Sequence, residues 1–393
     1  MKSILDQDLI LKGKKVIVRV DLNVPMKDGV ITESSRIIKI LPTIKLLIEK
    51  KAKIIIFSHI GRPKGKVVNG MSLKPISNKL SNLLNKEVIF NKNVISEKIS
   101  AEINKIKDGS VMMMENIRFY DGEEKNDDTF SKTISNLGDI YVNDAFSCSH
   151  RAHASIFEIT KFLPSYAGLQ LNLEIDALKK ITSKIKRPVT CIIGGSKISS
   201  KINIIKNLIP KFDNIVIVGG MANNVLKYKG FNIGKSIQEA NCDQIIKEIF
   251  YLSEKNNCKI VYPEDVTVGK DLNGSAKIKD VNKVSEDELI LDIGPKTIQT
   301  VNNLIEKSET ILWNGPAGYF ENPNFAKGSL KIANKIVEKN KSNTIYSVAG
   351  GGDTVALLSG MGVIKNFNFV STAGGAFLEY LEGKELPGIK ALN

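Results

Sequence analysis

Short apolar runs recur along the chain, and most break off at a loop of glycine, proline or charged residues. In the first half they are VIVRVDLNVP (16–25), KIIIFSHIGRP (53–63), VMMMENIRF (111–119) and DIYVNDAFSCSHRAH (139–153). In the second half they are VTCIIGGSK (189–197), NIVIVGGM (214–221), KIVYPED (259–265), ELILDIGP (288–295), TILWNGPAG (310–318), NTIYSVAGGGDT (343–354) and FNFVSTAGGA (367–376). Continuous apolar runs fit strands covered on both faces. Between them lie stretches with apolar residues at helical spacing, such as SRIIKILPTIKLLIEKKA (35–52) and SKISSKINIIKNLI (196–209). Alternation of strand and helix at this spacing predicts βαβ units, parallel sheets and an α/β fold. With 393 residues the chain exceeds one ordinary core, so two domains are expected. The stretch 163–188 reads as a helix bounded by Pro164 and Pro188, suited to a hinge.

In open parallel sheets, ligands bind beyond the carboxyl ends of the strands. The two halves differ there. Second-half strand ends carry paired or tripled glycines. In GGGDT (350–354), glycines let backbone N–H groups approach an anion, and a following helix adds its dipole. Asp353 could hold Mg²⁺ through an oxygen or a bound water. STAGGAFLEYL (371–381) repeats the design, and GGSKISSK (194–201) places Lys197 and Lys201 four residues apart on an expected first helical turn. A single glycine pair is more often just a tight turn, and neither GxxxxGK[ST] nor a clean GxGxxG is present. Several such loops with one Asp and two Lys point instead to a nucleotide phosphate site. Glu321 in GPAGYFE reads equally as a ribose contact or an ordinary exposed carboxylate.

First-half strand ends carry charge. DLNVP supplies Asp21 and Asn23, SSR places Arg36 near a helix start, SHIGRP supplies His59 and Arg62, ENIRF supplies Arg118, and SHRAH supplies Arg151 between His150 and His153. All three histidines fall in these loops, although His150 and His153 taken singly read as structural. Four arginines and a histidine on one sheet edge would repel one another unless they serve a highly charged anion. A small substrate with at least one phosphate and a carboxylate fits.

Composition sharpens this. The net charge of +14 comes mainly from 50 lysines against six arginines, with the lysines spread along the chain. A nucleic-acid surface would cluster Lys and Arg with interleaved aromatics, and no such cluster occurs. Against so much lysine, Arg19, Arg36, Arg62, Arg118 and Arg151 suggest a need for the planar fork that grips carboxylate or phosphate, whereas Arg187 reads as chance. The four cysteines form no CxxC pair and no zinc spacing, no apolar run reaches membrane length, and the N-terminal stretch lacks a signal peptide's apolar core. A cytoplasmic protein without nucleic-acid or membrane partners is expected.

Taken together, VDLNVP, SHIGRPKG, ENIRF, SHRAHAS, GGSKISSKI, WNGPAGYFE, GGGDT and STAGGA resemble the phosphoglycerate kinase family, in order and over essentially the whole chain. The resemblance implies two Rossmann-like domains with parallel sheets facing each other across a hinge cleft. It implies an N-terminal phosphoglycerate domain (1–168), a C-terminal nucleotide domain beginning with the hinge helix (169–376) and a tail from about 377 to 393 packing back on the first. It also implies a monomer that moves a phosphoryl group reversibly between 1,3-bisphosphoglycerate and ADP, with Mg²⁺, giving 3-phosphoglycerate and ATP in glycolysis. Position by position, Asp21, Asn23, Arg36, His59, Arg62, Arg118 and Arg151 would bind phosphoglycerate. Lys197, Lys201, Gly219, Gly220, Gly294, Glu321, Gly351, Gly352, Asp353 and Thr354 would serve the nucleotide, with Asp353 also serving the metal. Ser149 of SHRAH, Tyr319 of GPAGYFE and the missing third glycine of STAGGA depart from the family's usual pattern without removing a charged group.

The expected nucleophile is a carboxylate, already ionised at neutral pH, so no general base is needed. Catalysis then rests on positioning and charge neutralisation, with Arg36, Lys197 and helix starts at Gly352 and Gly375 around the transferring group. Domain closure is expected to exclude water.

Overall fold

The computed structural model describes residues 1–6, 9–92 and 97–393. The chain divides into two compact units, Met1–Asp176 with Glu385–Asn393, and Ala177–Lys384. The helix Leu169–Thr182 contains the division, and the short strand Ser165–Ala167 precedes it.

The first unit is built on a six-stranded sheet in the order Val88–Asn91, Val111–Met114, Lys53–Phe57, Lys15–Val20, Ile140–Asp144, Ser165–Ala167, every pair parallel. Alternate residues feed two cores. Val16, Val18, Ile54, Ile56 and Val142 pack on one face, and Ile17, Ile55, Phe57, Met112 and Tyr141 on the other. This explains the unbroken apolar runs: neither face meets water. The helix Ser35–Glu49 buries Ile37, Ile40, Ile44 and Leu47, a 3-4-3 spacing, against the first core. Pro42 lies inside that helix. Both Pro42 and Ile38, whose carbonyl loses its partner, are exposed, so water can take the vacant hydrogen bond.

The second unit has its own six-stranded parallel sheet in the order Lys259–Val261, Asn214–Ile217, Val189–Ile193, Thr310–Asn314, Tyr346–Gly350, Phe369–Ser371. ELILDIGP does not join it. Its strand Leu289–Ile293 pairs antiparallel with Asp265–Gly269, which also pairs with Lys277–Asp280, in a separate three-stranded sheet. Leu289–Ile293 is only half-buried over its first three residues, and the Lys277–Asp280 edge is lysine-rich, as a wet edge strand should be.

The tail expected from about residue 377 joins the first unit only at Glu385. The helix Gly375–Leu381 stays in the second unit, packed on the helix Ile202–Leu208. Gly388 N donates to Ser149 O at 2.8 Å, and Asn143 Nδ2 donates to Gly388 O at 3.2 Å, which fixes the tail beside the SHRAH loop. Among the described residues no helix is long and apolar enough to cross a membrane, and all four cysteines are buried with free thiols.

Candidate active site

In each sheet the chain reverses its direction of travel once, which opens a crevice at the carboxyl edge. In the first unit this switch lies between Lys15–Val20 and Ile140–Asp144, and Asp21 follows the first of these strands. The Asp21 carboxylate accepts from Arg36 Nη1 at 2.6 Å, from Asn23 N at 3.0 Å and from the Ser147 hydroxyl. Burial works to raise its pKa, but the neighbouring His59 ring, then the Arg36 charge and these hydrogen bonds outweigh it and hold the carboxyl below its ordinary value.

The SHIGRP loop is pinned at Gly61. Its N–H donates to Asn23 Oδ1 at 3.0 Å, and its carbonyl accepts from Arg118 Nη1 at 2.8 Å. The φ of +64° at Gly61 allows both at once. Asn116 is fully buried and donates to Ile60 O at 2.8 Å and Met71 O at 2.9 Å, locking the same loop from beneath. His59 and Arg118 are each 4% exposed. Burial first, and then the Arg19 charge, lowers the pKa of both. Arg62 projects into solvent and makes no ion pair among the described residues. Arg151 is half-buried, its Nε 3.2 Å from His150 Nε2. Thus Asp21, Asn23, Arg36, His59 and Arg118 form one bonded or charge-coupled cluster, with Arg62 and Arg151 on neighbouring loops. Carboxylates near it are few: Asp21 pairs with Arg36, and Glu124 lies 3.4 Å from Arg118 Nε.

In the second unit the switch lies between Val189–Ile193 and Thr310–Asn314. Backbones meet there with no room for side chains. Gly315 has φ +102°, and a Cβ on it would stand 2.3 Å from Gly194 O. Beside this contact lies a cavity of about 570 Å³, within the range of small-molecule sites. Ile237, Leu289, Leu291 and Pro316 give it an apolar wall, and Gly219, Glu321 and Asp353 also line it. Glu321 and Asp353 are exposed, and Asp353 sits in the first turn of the helix Gly352–Gly360 with no ion pair among the described residues. Lys201 Nζ donates to Asn314 Oδ1 at 2.8 Å, and Asn314 Nδ2 donates to Gly350 O at 2.6 Å. Thr354 is fully buried and accepts from Gly315 N at 2.7 Å. Asn314 and Thr354 therefore join the GGSK, GPAG and GGGDT loops. Burial lowers the Lys201 pKa, against the pull of Asp353.

One expectation needs correction. The helix read over 196–209 is only Ile202–Leu208, so Lys197 and Lys201 precede it instead of sharing its first turn. Ser199 bonds to Glu239 through its N–H and hydroxyl, and Ser200 Oγ donates to Lys197 O at 2.7 Å. These side-chain bonds, one local and two to a distant carboxylate, accompany the non-helical backbone before Ile202. Gly294 does not line the cavity. A Cβ there would stand 2.3 Å from Asp265 Cγ, whose carboxylate accepts from Lys296 N and Thr297 N at the start of the helix Pro295–Lys307. That glycine makes room for a helix cap. Gly352 and Gly375 each open a helix and are exposed, and Lys197 is exposed as well.

The sequence reading missed Asn116, Ser147 and Asn314 as parts of the site, and it read Arg19 as a grip for an anion, whereas its guanidinium meets Ser155, the Val20 carbonyl and His59. Asn116 and Asn314 carried a signal, a polar residue just past an apolar run. Ser147 carried none, since its role depends on which strand lies next to Asp21.

The phosphoglycerate kinase family model matches residues 6–384. A phosphoglycerate kinase from Wolbachia sp. subsp. Drosophila simulans (strain wRi) is 45% identical over 97% of this chain and 96% of its own length. One from Dictyoglomus turgidum is 46% identical over 100% of this chain and 98% of its own. Among solved structures, a phosphoglycerate kinase from Coxiella burnetii is similar with a TM-score of 0.92 and 39% identity, covering 98% of this chain and 97% of that one. A phosphoglycerate kinase from Pyrococcus horikoshii OT3 is similar with a TM-score of 0.81 and 29% identity, covering 100% and 98%.

Proposed function

Because the chain belongs to the phosphoglycerate kinase family and is a glycolytic phosphotransferase with a carboxyl group as acceptor, we propose that its two units divide the reaction between them. Residues 1–168 with the C-terminal tail hold 3-phosphoglycerate or 1,3-bisphosphoglycerate. Residues 169–376 hold ATP or ADP. The observation that carries the division is the contrast between the two switch points. One gathers Arg36, His59 and Arg118 around a single paired aspartate, and the other offers closely packed glycines beside an apolar cavity.

In the first unit, Asp21 and Asn23 hold Arg36 and the Gly61 loop in place, while His59, Arg62, Arg118 and Arg151 bind the substrate's carboxylate and phosphate. The carboxylate attacks as it stands, because it is ionised at neutral pH. In the second unit, the apolar wall takes the base and Glu321 meets ribose hydroxyls. Gly219, Gly351, Gly352 and Thr354 bring backbone close to the phosphates, and Lys201 is aimed by Asn314. Arg36 and Lys197 supply positive charge to the transferring phosphoryl group, and the helix starts at Gly352 and Gly375 add N–H groups.

Asp353 suits Mg²⁺, which commonly takes one carboxylate, phosphate oxygens and retained waters: it is exposed, lines the cavity and makes no ion pair among the described residues. When bound, the ion neutralises charge on the phosphates. A cytoplasmic monomer without nucleic-acid or membrane partners completes the reading; the lysines are scattered along the chain, and among the described residues no helix is long and apolar enough to cross a membrane.

The test is ATP-dependent formation of 1,3-bisphosphoglycerate from 3-phosphoglycerate, coupled to NADH oxidation through glyceraldehyde-3-phosphate dehydrogenase. Turnover should need Mg²⁺, and Asp353→Ala should raise the half-saturating Mg²⁺ about tenfold while leaving the 3-phosphoglycerate KM alone. An unchanged Mg²⁺ response in that variant would remove Asp353 from the metal's ligands.

A further inference from the structure

Arg19 lies inside the strand Lys15–Val20, and its side chain is fully buried. A guanidinium has N–H donors and no acceptor. Its Nη2 faces His59 Nδ1 at 3.1 Å, so that ring nitrogen must present its lone pair. In a neutral imidazole the one proton is then on Nε2. The guanidinium is itself held from behind. Nε donates to Ser155 Oγ at 2.8 Å, and Nη1 donates to the Val20 carbonyl. Ser155 Oγ donates to Glu123 Oε1 at 2.6 Å, and Ser155 N donates to Glu123 Oε2 at 2.9 Å. Glu123 is fully buried. The relay has one possible sense, because it runs from a donor-only cation through a hydroxyl to an acceptor-only carboxylate.

Resting on the assignment of His59 to the phosphoglycerate site, we propose that Arg19 is a positioning residue: backed by Ser155 and Glu123, it fixes His59 as the Nε2–H tautomer, so that the ring meets the substrate's anion as an N–H donor. The groups around the ring agree with this. Burial and then the Arg19 charge disfavour a second proton, Asp21 favours one, and Arg118 and Arg36 oppose it. A further neighbour, Cys148, shares a 4.8 Å cluster with Asp21 and His59, and burial pushes its thiol pKa up so that it adds no charge. A proton on Nδ1 would set one N–H against another inside the protein. No hydrogen bond occupies Nε2 among the described residues, so that edge is left for a ligand.

Nitrogen-15 NMR of histidine-labelled enzyme reads the tautomer directly. With three histidines in the chain, His59→Gln identifies the His59 signals. The expected result is an unprotonated Nδ1 and a protonated Nε2, unchanged from about pH 5.5 to 8, with the Nε2–H signal moving when 3-phosphoglycerate is added. A protonated Nδ1 in the native enzyme overturns the proposal without any variant. Arg19→Met should mix the tautomers and bring a histidine-like inflection into the pH profile of the 3-phosphoglycerate KM. That KM should rise about tenfold, with a smaller change in kcat. A native-like His59 spectrum in folded Arg19→Met also overturns it. The expected tautomer with signals that ignore 3-phosphoglycerate would overturn the substrate-site reading of His59 and leave the relay standing.

Discussion

Replacing Arg36 by alanine separates catalysis from stability more cleanly than any other change at the site. Among the described residues the Arg36 side chain has one ion-pair partner, Asp21 at 2.6 Å, and the two side chains are 30% and 11% exposed. The guanidinium is part-exposed, so solvent screens the pair and its loss should cost about 1 kcal/mol of stability. For a unit of this size that is a fall in Tm of about 2–4 °C. Asp21 keeps its bonds from Ser147 and Asn23, so it is not stranded. Its pKa is now held below the ordinary value, which makes its stabilising contribution full at neutral pH and lost as pH falls through the folded value. Without Arg36 that loss begins at higher pH, and acid unfolding should move upward. The catalytic effect is of another order. A charge that meets the phosphoryl group mainly in the transition state is worth about 3–4 kcal/mol, or a hundred- to a thousandfold in kcat. The coupled assay gives kcat and both KM values, and thermal unfolding gives Tm. A kcat within tenfold of the native enzyme in a folded variant would refute the placement of Arg36 beside the transferring group.

Other substitutions probe other parts. Arg62 is exposed and makes no ion pair among the described residues, so Arg62→Lys keeps the charge and loses the fork; the 3-phosphoglycerate KM should rise about tenfold with kcat nearly kept, and a collapse of kcat alone would contradict a binding role. Gly315→Ala places a Cβ 2.3 Å from Gly194 O at a φ of +102°, where neither backbone can yield without parting the central strands, so urea unfolding should show a loss of about 3 kcal/mol or more. A loss below about 1 kcal/mol would mean the two loops do not meet as closely as described. Asp292 lines the cavity of the second unit, accepts from Gly328 N at 2.7 Å and has its pKa pushed up by burial to about 7. The folded state therefore binds that proton more tightly than the unfolded chain, and stability should fall as pH rises from the ordinary value of 3.8 towards about 7 and then level off. Asp292→Asn should flatten that part of the urea-midpoint profile, and an unchanged slope would assign it to other groups.

What could be read from the sequence, and what could not, follows from the range of the interactions. Strands such as Lys53–Phe57 and Val189–Ile193 were legible because burial on both faces writes itself as an unbroken apolar run. The charged and glycine loops were legible because each sits immediately after such a run. The hairpin Met26–Lys27 with Val30–Ile31 was overlooked although Asp28-Gly29, both at positive φ, is a strong local turn signal. The three-stranded antiparallel sheet was harder, since Leu289–Ile293 has the same apolar look as a parallel strand and only its partners, Asp265–Gly269 and beyond, distinguish it. Gly294 shows the same limit inside a motif: its glycine is required by Asp265, 29 positions earlier, and no local pattern states that. Arg19 is the sharpest instance. In the strand KVIVRV it looks like a polar interruption on a buried face, where an unpartnered cation would be prohibitive. The cost is met by Ser155 and Glu123, more than a hundred residues away, and the return is a histidine held in one tautomer. Sequence patterns therefore reveal groups that face a ligand from strand ends, because those share a local grammar. Several groups that aim them are joined through tertiary contacts alone, and Arg19, Asn116 and Asn314 among them are buried.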